Sequence, residues 1–80
     1  MESRRLQTSW DIPHPGKYLN GYAEAPQVKF STLSEAMNAA IQIPSCGGIT
    51  LEPSGEYTLR QSHQLQDSPS GEVSWVKPAE

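Results

Sequence analysis

Two short alternating runs, Ile49-Thr50-Leu51-Glu52 and Tyr57-Thr58-Leu59-Arg60, flank Pro53-Ser54-Gly55. This arrangement constrains the fold more than any other stretch of the chain. Alternation with a period of two places alternate side chains on opposite faces of a strand. Pro-Ser-Gly suits a three-residue hairpin loop whose glycine takes the left-handed conformation. Closing the hairpin there sets the register. Leu51 falls opposite Tyr57 and Ile49 opposite Leu59 on one face, with Thr50 opposite Thr58 on the other. A slip of one residue would turn the apolar set to the wrong face, so pattern and turn chemistry check each other. The cost is Glu52 opposite Glu56, a like-charge pair worth about 0.2–0.5 kcal/mol at an exposed site.

The stretch before the hairpin has the other common period. Leu33, Ala36, Met37, Ala40 and Ile41 form one stripe of a 3.6-residue repeat. Thr32 is a good N-cap, Glu35 completes a capping box, and Pro44 stops the helix. A helix of ~10 residues is not stable alone in water and needs a platform. The hairpin supplies one, with Gly47-Gly48 expected to turn the chain between the two.

The flanks read less sharply. Residues 17–23 predict a strand with a glycine bulge at Asn20-Gly21, a tight turn there being the alternative. Ala25-Pro26 breaks it, and residues 27–30 continue extended, burying Val28 and Phe30. Gln61–Gly71 is polar and reads as a surface loop anchored only by Leu65. Glu72–Lys77 is a final strand with Val73 and Trp75 on one face. Residues 1–16 form an extended amino-terminal segment resting on the domain through Trp10 and Ile12. Residues 17–80 form a single small α+β domain, with one amphipathic helix packed on a small, mostly antiparallel sheet of three to five strands.

Charge and cysteine usage exclude several functions. Six basic against nine acidic residues leave a formal charge of −3, and only Arg4 and Arg5 are adjacent. No basic stripe exists to neutralise phosphates or an anionic bilayer, so neither nucleic acid nor a membrane is an expected partner. The single cysteine, Cys46, rules out an intrachain disulfide. No apolar run follows Met1–Arg5, so a cytoplasmic location is the default expectation.

No catalytic or metal-ligand set emerges. One cysteine and the two histidines, His14 and His63, match no zinc spacing. Cys46 follows a helix carboxyl end, which disfavours a thiolate, so a structural thiol is expected. No cofactor is implied. The aromatic residues exceed what so small a core needs, which places some at a rim as binding anchors. The expected ligand site combines the loop after Arg60, including His63, with Tyr57, Arg60 and Trp75.

The order strand, helix, Cys46-Gly47-Gly48-Ile49-Thr50, hairpin ending Tyr57-Thr58-Leu59-Arg60, then final strand resembles the PAN/apple module over Lys17–Lys77. The paired cysteines of that module are missing here. The resemblance implies a non-enzymatic module that binds proteins or carbohydrates, and carries over no binding residue. Residues and resemblance thus point to a binding module for a protein or carbohydrate partner. The alternatives are a structural subunit that forms homo-oligomers through its sheet edges and a thiol enzyme or regulator using Cys46.

Overall fold

The computed structural model describes residues 13–23 and 28–78. The expectations for Trp10 and Ile12, and for the break at Ala25-Pro26, lie outside the described residues. In chain order the elements are β1 (His14–Pro15), β2 (Lys17–Leu19), α1 (Leu33–Ile41), β3 (Gly48–Leu51), β4 (Tyr57–Arg60), β5 (Leu65–Asp67) and β6 (Val73–Val76). All strand pairs are antiparallel. Four strands form a sheet in the order β1-β6-β3-β4, and β2 pairs with β5 as a separate ribbon. The result is the expected α+β architecture, with two antiparallel sheets rather than one.

The hairpin has the register its sequence dictates: Ile49 opposite Leu59, Thr50 opposite Thr58 and Leu51 opposite Tyr57, with Gly55 at φ +94. Glu52 does lie beside Glu56, but Lys29 joins them, its Nζ 3.0 Å from one carboxylate and 3.9 Å from the other. Against expectation, the Glu52 side chain is largely buried.

One face of the four-stranded sheet carries the helix. Ala36 and Ala40 of α1 pack with Cys46, Ile49, Leu59 and Trp75, and Leu33, Met37, Phe30 and Tyr57 close the margin. The Thr32 hydroxyl accepts from Glu35 N–H at 3.2 Å, as an N-cap should. The Glu35 carboxylate takes the Ser31 hydroxyl, 3.4 Å away. Two positions depart from the predicted apolar stripe: Ile41 is 48% exposed, and Ala39 packs on the core instead. Val28, expected to be buried, is exposed.

The opposite face is not solvent. Gly48, Thr50, Thr58, Arg60 and Ser74 point to it and are all buried, and β2 of the β2–β5 ribbon packs on this side against β3 and β6. Four main-chain groups of β2 point at this sheet, and each finds a partner. Lys17 N–H donates to Glu72 O (3.1 Å), and Lys17 O accepts the Ser74 hydroxyl (2.9 Å). Leu19 N–H donates to Thr50 Oγ1 (3.2 Å), and Leu19 O accepts from Arg60 Nη1 (2.7 Å). Hydroxyls and a guanidinium thus stand in for most of a neighbouring strand, which satisfies the demand that buried backbone groups be paired.

Proton accounting orders the seam. The Ser74 hydrogen is committed to Lys17 O, so Thr50 must donate in its 2.8 Å bond with Ser74. Thr58 donates to Thr50 O and accepts from Arg60 Nε. Arg60 Nη2 reaches Glu52 at 3.2 Å, and the guanidinium stacks 4.5 Å from the Tyr22 ring centroid.

Three local expectations give way to this arrangement. The predicted strand over 17–23 stops at Leu19. The chain then turns at Gly21 (φ +72), and Tyr22 bridges Arg60 on the outer edge of β4. The surface loop Gln61–Gly71 contains β5, whose three residues pair with β2. Gly47 and Gly48 lie in no positive-φ turn. They are needed for close approach: a Cβ on Gly48 would stand 2.4 Å from a Leu19 methyl and from Trp75 O, and one on Gly47 2.3 Å from Gln61 O.

Candidate functional site

The four residues expected to form a ligand site do not share one open surface. Trp75, 8% exposed, lies in the core with its ring 5.8 Å from that of the half-buried Tyr57. Arg60 is 6% exposed, and its Nε, Nη1 and Nη2 donate to Thr58, Leu19 and Glu52 in the interior. His63 alone among them is exposed. It stands on a ridge between two grooves that sequence reasoning had not located.

The first groove lies at the carboxyl end of α1, with a volume of about 840 Å³. Ile41, Pro44, Val76 and Pro78 give it apolar walls, Cys46 and Gly47 contribute to its lining, and His63 and Lys77 stand on it. Lys77 Nζ donates to Ile43 O at 2.9 Å, placing a cation at the helix terminus, where the backbone partial charge is negative. The groove runs beside the end of β6. Lys77 N–H donates to Gly47 O, and Gly16 N–H donates to Glu72 O. By strand alternation, Val76 then turns its own N–H and C=O toward the side on which β1 lies. Among the described residues, β1 pairs with β6 at Val73 and Ser74.

The second groove, of about 440 Å³, crosses the start of the β4–β5 connection. Its lining is Asn20, Gly21, Gln61, Ser62, His63, Gln64 and Gln66. No lysine, arginine or carboxylate is among them.

Cys46 is 4% exposed, and its thiol donates to Gly48 O at 3.2 Å. Burial pushes its pKa up, against smaller opposing effects of the Gly48 backbone and Lys77. A thiol held in this way is a poor nucleophile at neutral pH. Among the described residues, no group of three or more His, Cys, Asp or Glu could hold a metal ion, and no helix is long and apolar enough to cross a membrane.

Only the Ile41 departure carried a hint of the first groove. The residue ends the helical stripe three positions before Pro44, where no further helix turn can cover it. The second groove had no signal, because β5 was not visible as a strand. No protein-family model, curated protein or solved structure matches the chain.

Proposed function

We propose that this chain is a non-enzymatic binding module that takes an extended segment of a protein partner into the groove at the end of α1. The observation that carries this reading is Ile41, a large aliphatic side chain 48% exposed beside Pro44, Val76 and Pro78. Apolar side chains of the partner segment would fill the groove between these walls. Lys77 and His63 on the rim would set polarity and register.

Panning a phage-displayed library of random peptides against the folded chain tests this. Peptides should be enriched whose affinity falls about tenfold or more in Ile41→Asp, the scale of an interface anchor. The urea midpoint should stay near that of the parent, since Ile41 is half-exposed. No enrichment, or enrichment indifferent to Ile41→Asp, would overturn the reading.

Self-association through sheet edges is the second reading. The outer edge of β4 is bridged by Tyr22 and Phe30, and β1 is a two-residue strand containing Pro15, which blunts the other edge. Sedimentation should therefore return the 8.8 kDa monomer mass. A dimer dissociated by Ile41→Asp would instead make the groove a contact between copies.

A further inference from the structure

The second groove has a chemistry of its own, separate from the protein-binding reading. We propose that it binds a neutral saccharide. Asn20, Gln61, Gln64 and Gln66 put four carboxamides around it, with the Ser62 hydroxyl and the His63 imidazole between them. A carboxamide both donates and accepts, and so does each hydroxyl of a sugar, so the two match without charge. An anionic ligand would call for lysine or arginine and a cation for carboxylates, and the lining contains neither.

Two of these groups are partly engaged and four are open. Asn20 Oδ1 accepts from Gly21 N–H, and the Ser62 hydroxyl is engaged with Gln64 main chain. Among the described residues, the side chains of Gln61, Gln64, Gln66 and His63 have no hydrogen-bond partner. Gly21 keeps the floor open: at φ +72 it carries no side chain, and a Cβ there would stand 3.3 Å from Gln61 Oε1. The scaffold is firm where it matters. Ser62 N–H donates to Asn20 O and Gln61 N–H to Gly21 O, tying the two walls together.

An aromatic platform adjoins. Tyr18 is paired with Gln66 across β2 and β5, so both side chains project on the same face of the ribbon. Leu19 and Leu65 take the other face, and Leu19 is buried against the sheet. Gln66 is exposed and Tyr18 half-buried. A tyrosine ring beside carboxamides suits the apolar C–H face of a pyranose, with the amides reading its hydroxyl rim.

The test is a titration of the isotope-labelled chain with maltose, cellobiose and N,N′-diacetylchitobiose as neutral probes, and a sulfated disaccharide as the charged one. At least one neutral probe should shift the side-chain amide signals of Gln61, Gln64 and Gln66 in a saturable way. Gln66→Ala and Gln64→Ala, both at exposed positions, should each weaken it about tenfold, the scale of one lost ligand hydrogen bond with its neighbours. Tyr18→Leu should weaken it as well. Unchanged amide signals with every neutral probe would overturn the proposal. So would equal or stronger binding of the sulfated probe, or shifts confined to Ile41, Val76 and Lys77. Peptide capture sensitive to Ile41→Asp would survive any of those results, so the two readings fail separately.

Discussion

The two faces of the four-stranded sheet are both interior, yet they are held by different physics. On the helix face, Ile49, Leu59 and Trp75 meet Ala36 and Ala40 through non-directional apolar contact. On the ribbon face, Thr50, Thr58, Arg60 and Ser74 meet the backbone of β2 through directed hydrogen bonds. The apolar face should tolerate changes of shape that conserve volume. The polar face should not, because each lost donor or acceptor leaves a buried partner unsatisfied. Substitutions on the two faces can break that contrast.

The largest effect is expected at Arg60. Removing it leaves Leu19 O without its donor and Glu52 without one of its cations, so Arg60→Ala should cost about 3–5 kcal/mol in urea unfolding. The informative variant is Arg60→Met, which keeps much of the volume and should recover little. On the other face, Ile49→Val should cost only about 0.5–1.5 kcal/mol. Near-equal costs for Arg60→Met and Ile49→Val would erase the distinction.

Gly48 lies between the two interiors, with Leu19 on one side and Trp75 main chain close by. Gly48→Ala should therefore cost about 3 kcal/mol or more, at the upper end of overpacking effects. Gly55→Ala, which has nothing within 4 Å and suffers only from its φ, should cost about 1–2 kcal/mol. Equal costs would mean the close approach at Gly48 relaxes freely.

A smaller effect, about 1–3 kcal/mol, is expected for Thr50→Val, which keeps the shape and removes the hydroxyl linking Leu19 N–H to Ser74. A double-mutant cycle with Ser74→Ala should show non-additivity, since both hydroxyls act in one chain. Strict additivity would show that the seam is a set of separate bonds.

Glu52 adds a pH dependence to the polar face. Burial works against its charged form, but the hydrogen bond and charge of Lys29, with Thr58 and Arg60, outweigh it and hold the carboxyl below its ordinary range. A folded-state pKa below the unfolded value means the unfolded chain binds more protons. This stabilisation is thus complete above the ordinary carboxylate pKa and is lost as pH falls through the folded value. Urea midpoints measured from about pH 6 down to about pH 3 should fall, and less steeply in Glu52→Gln. Parallel slopes would place the sensitivity elsewhere; Asp67, which its partner Lys17 also holds low, is the natural control.

The smallest effect concerns Cys46, where burial opposes ionisation. Iodoacetamide should label it only after denaturant is added. Rapid labelling of the folded chain would revive the thiol-based alternative.

Half of this contrast was legible in the residue order. The hairpin register, the Thr32 cap, the Ala36–Ala40 stripe and the pairing of Val73 with Trp75 on one face follow from local periodicity and turn chemistry. Those signals span a few residues and need no distant partner. The polar face was hidden for the same reason. Alternation assigns Thr50, Thr58 and Ser74 to the second face of their strands, but cannot say whether that face meets water or protein. Only β2 and β5 decide it, and they meet across a long separation: Lys17 pairs with Asp67. Leu65-Gln66-Asp67 is too short and too polar to announce a strand. Once that ribbon crosses the sheet, Arg60 changes from a candidate ligand contact into an interior clamp, and Gly48 from a turn residue into a point of close approach. The candidate site moves with them. Tyr57 and Trp75 are drawn into the core because the helix needs a platform, and His63 is left on the ridge between the two grooves. Local order determined how each element is built. The long-range pairing of β2 with β5 decided which of its surfaces are inside, because burial depends on what the rest of the chain lays over it.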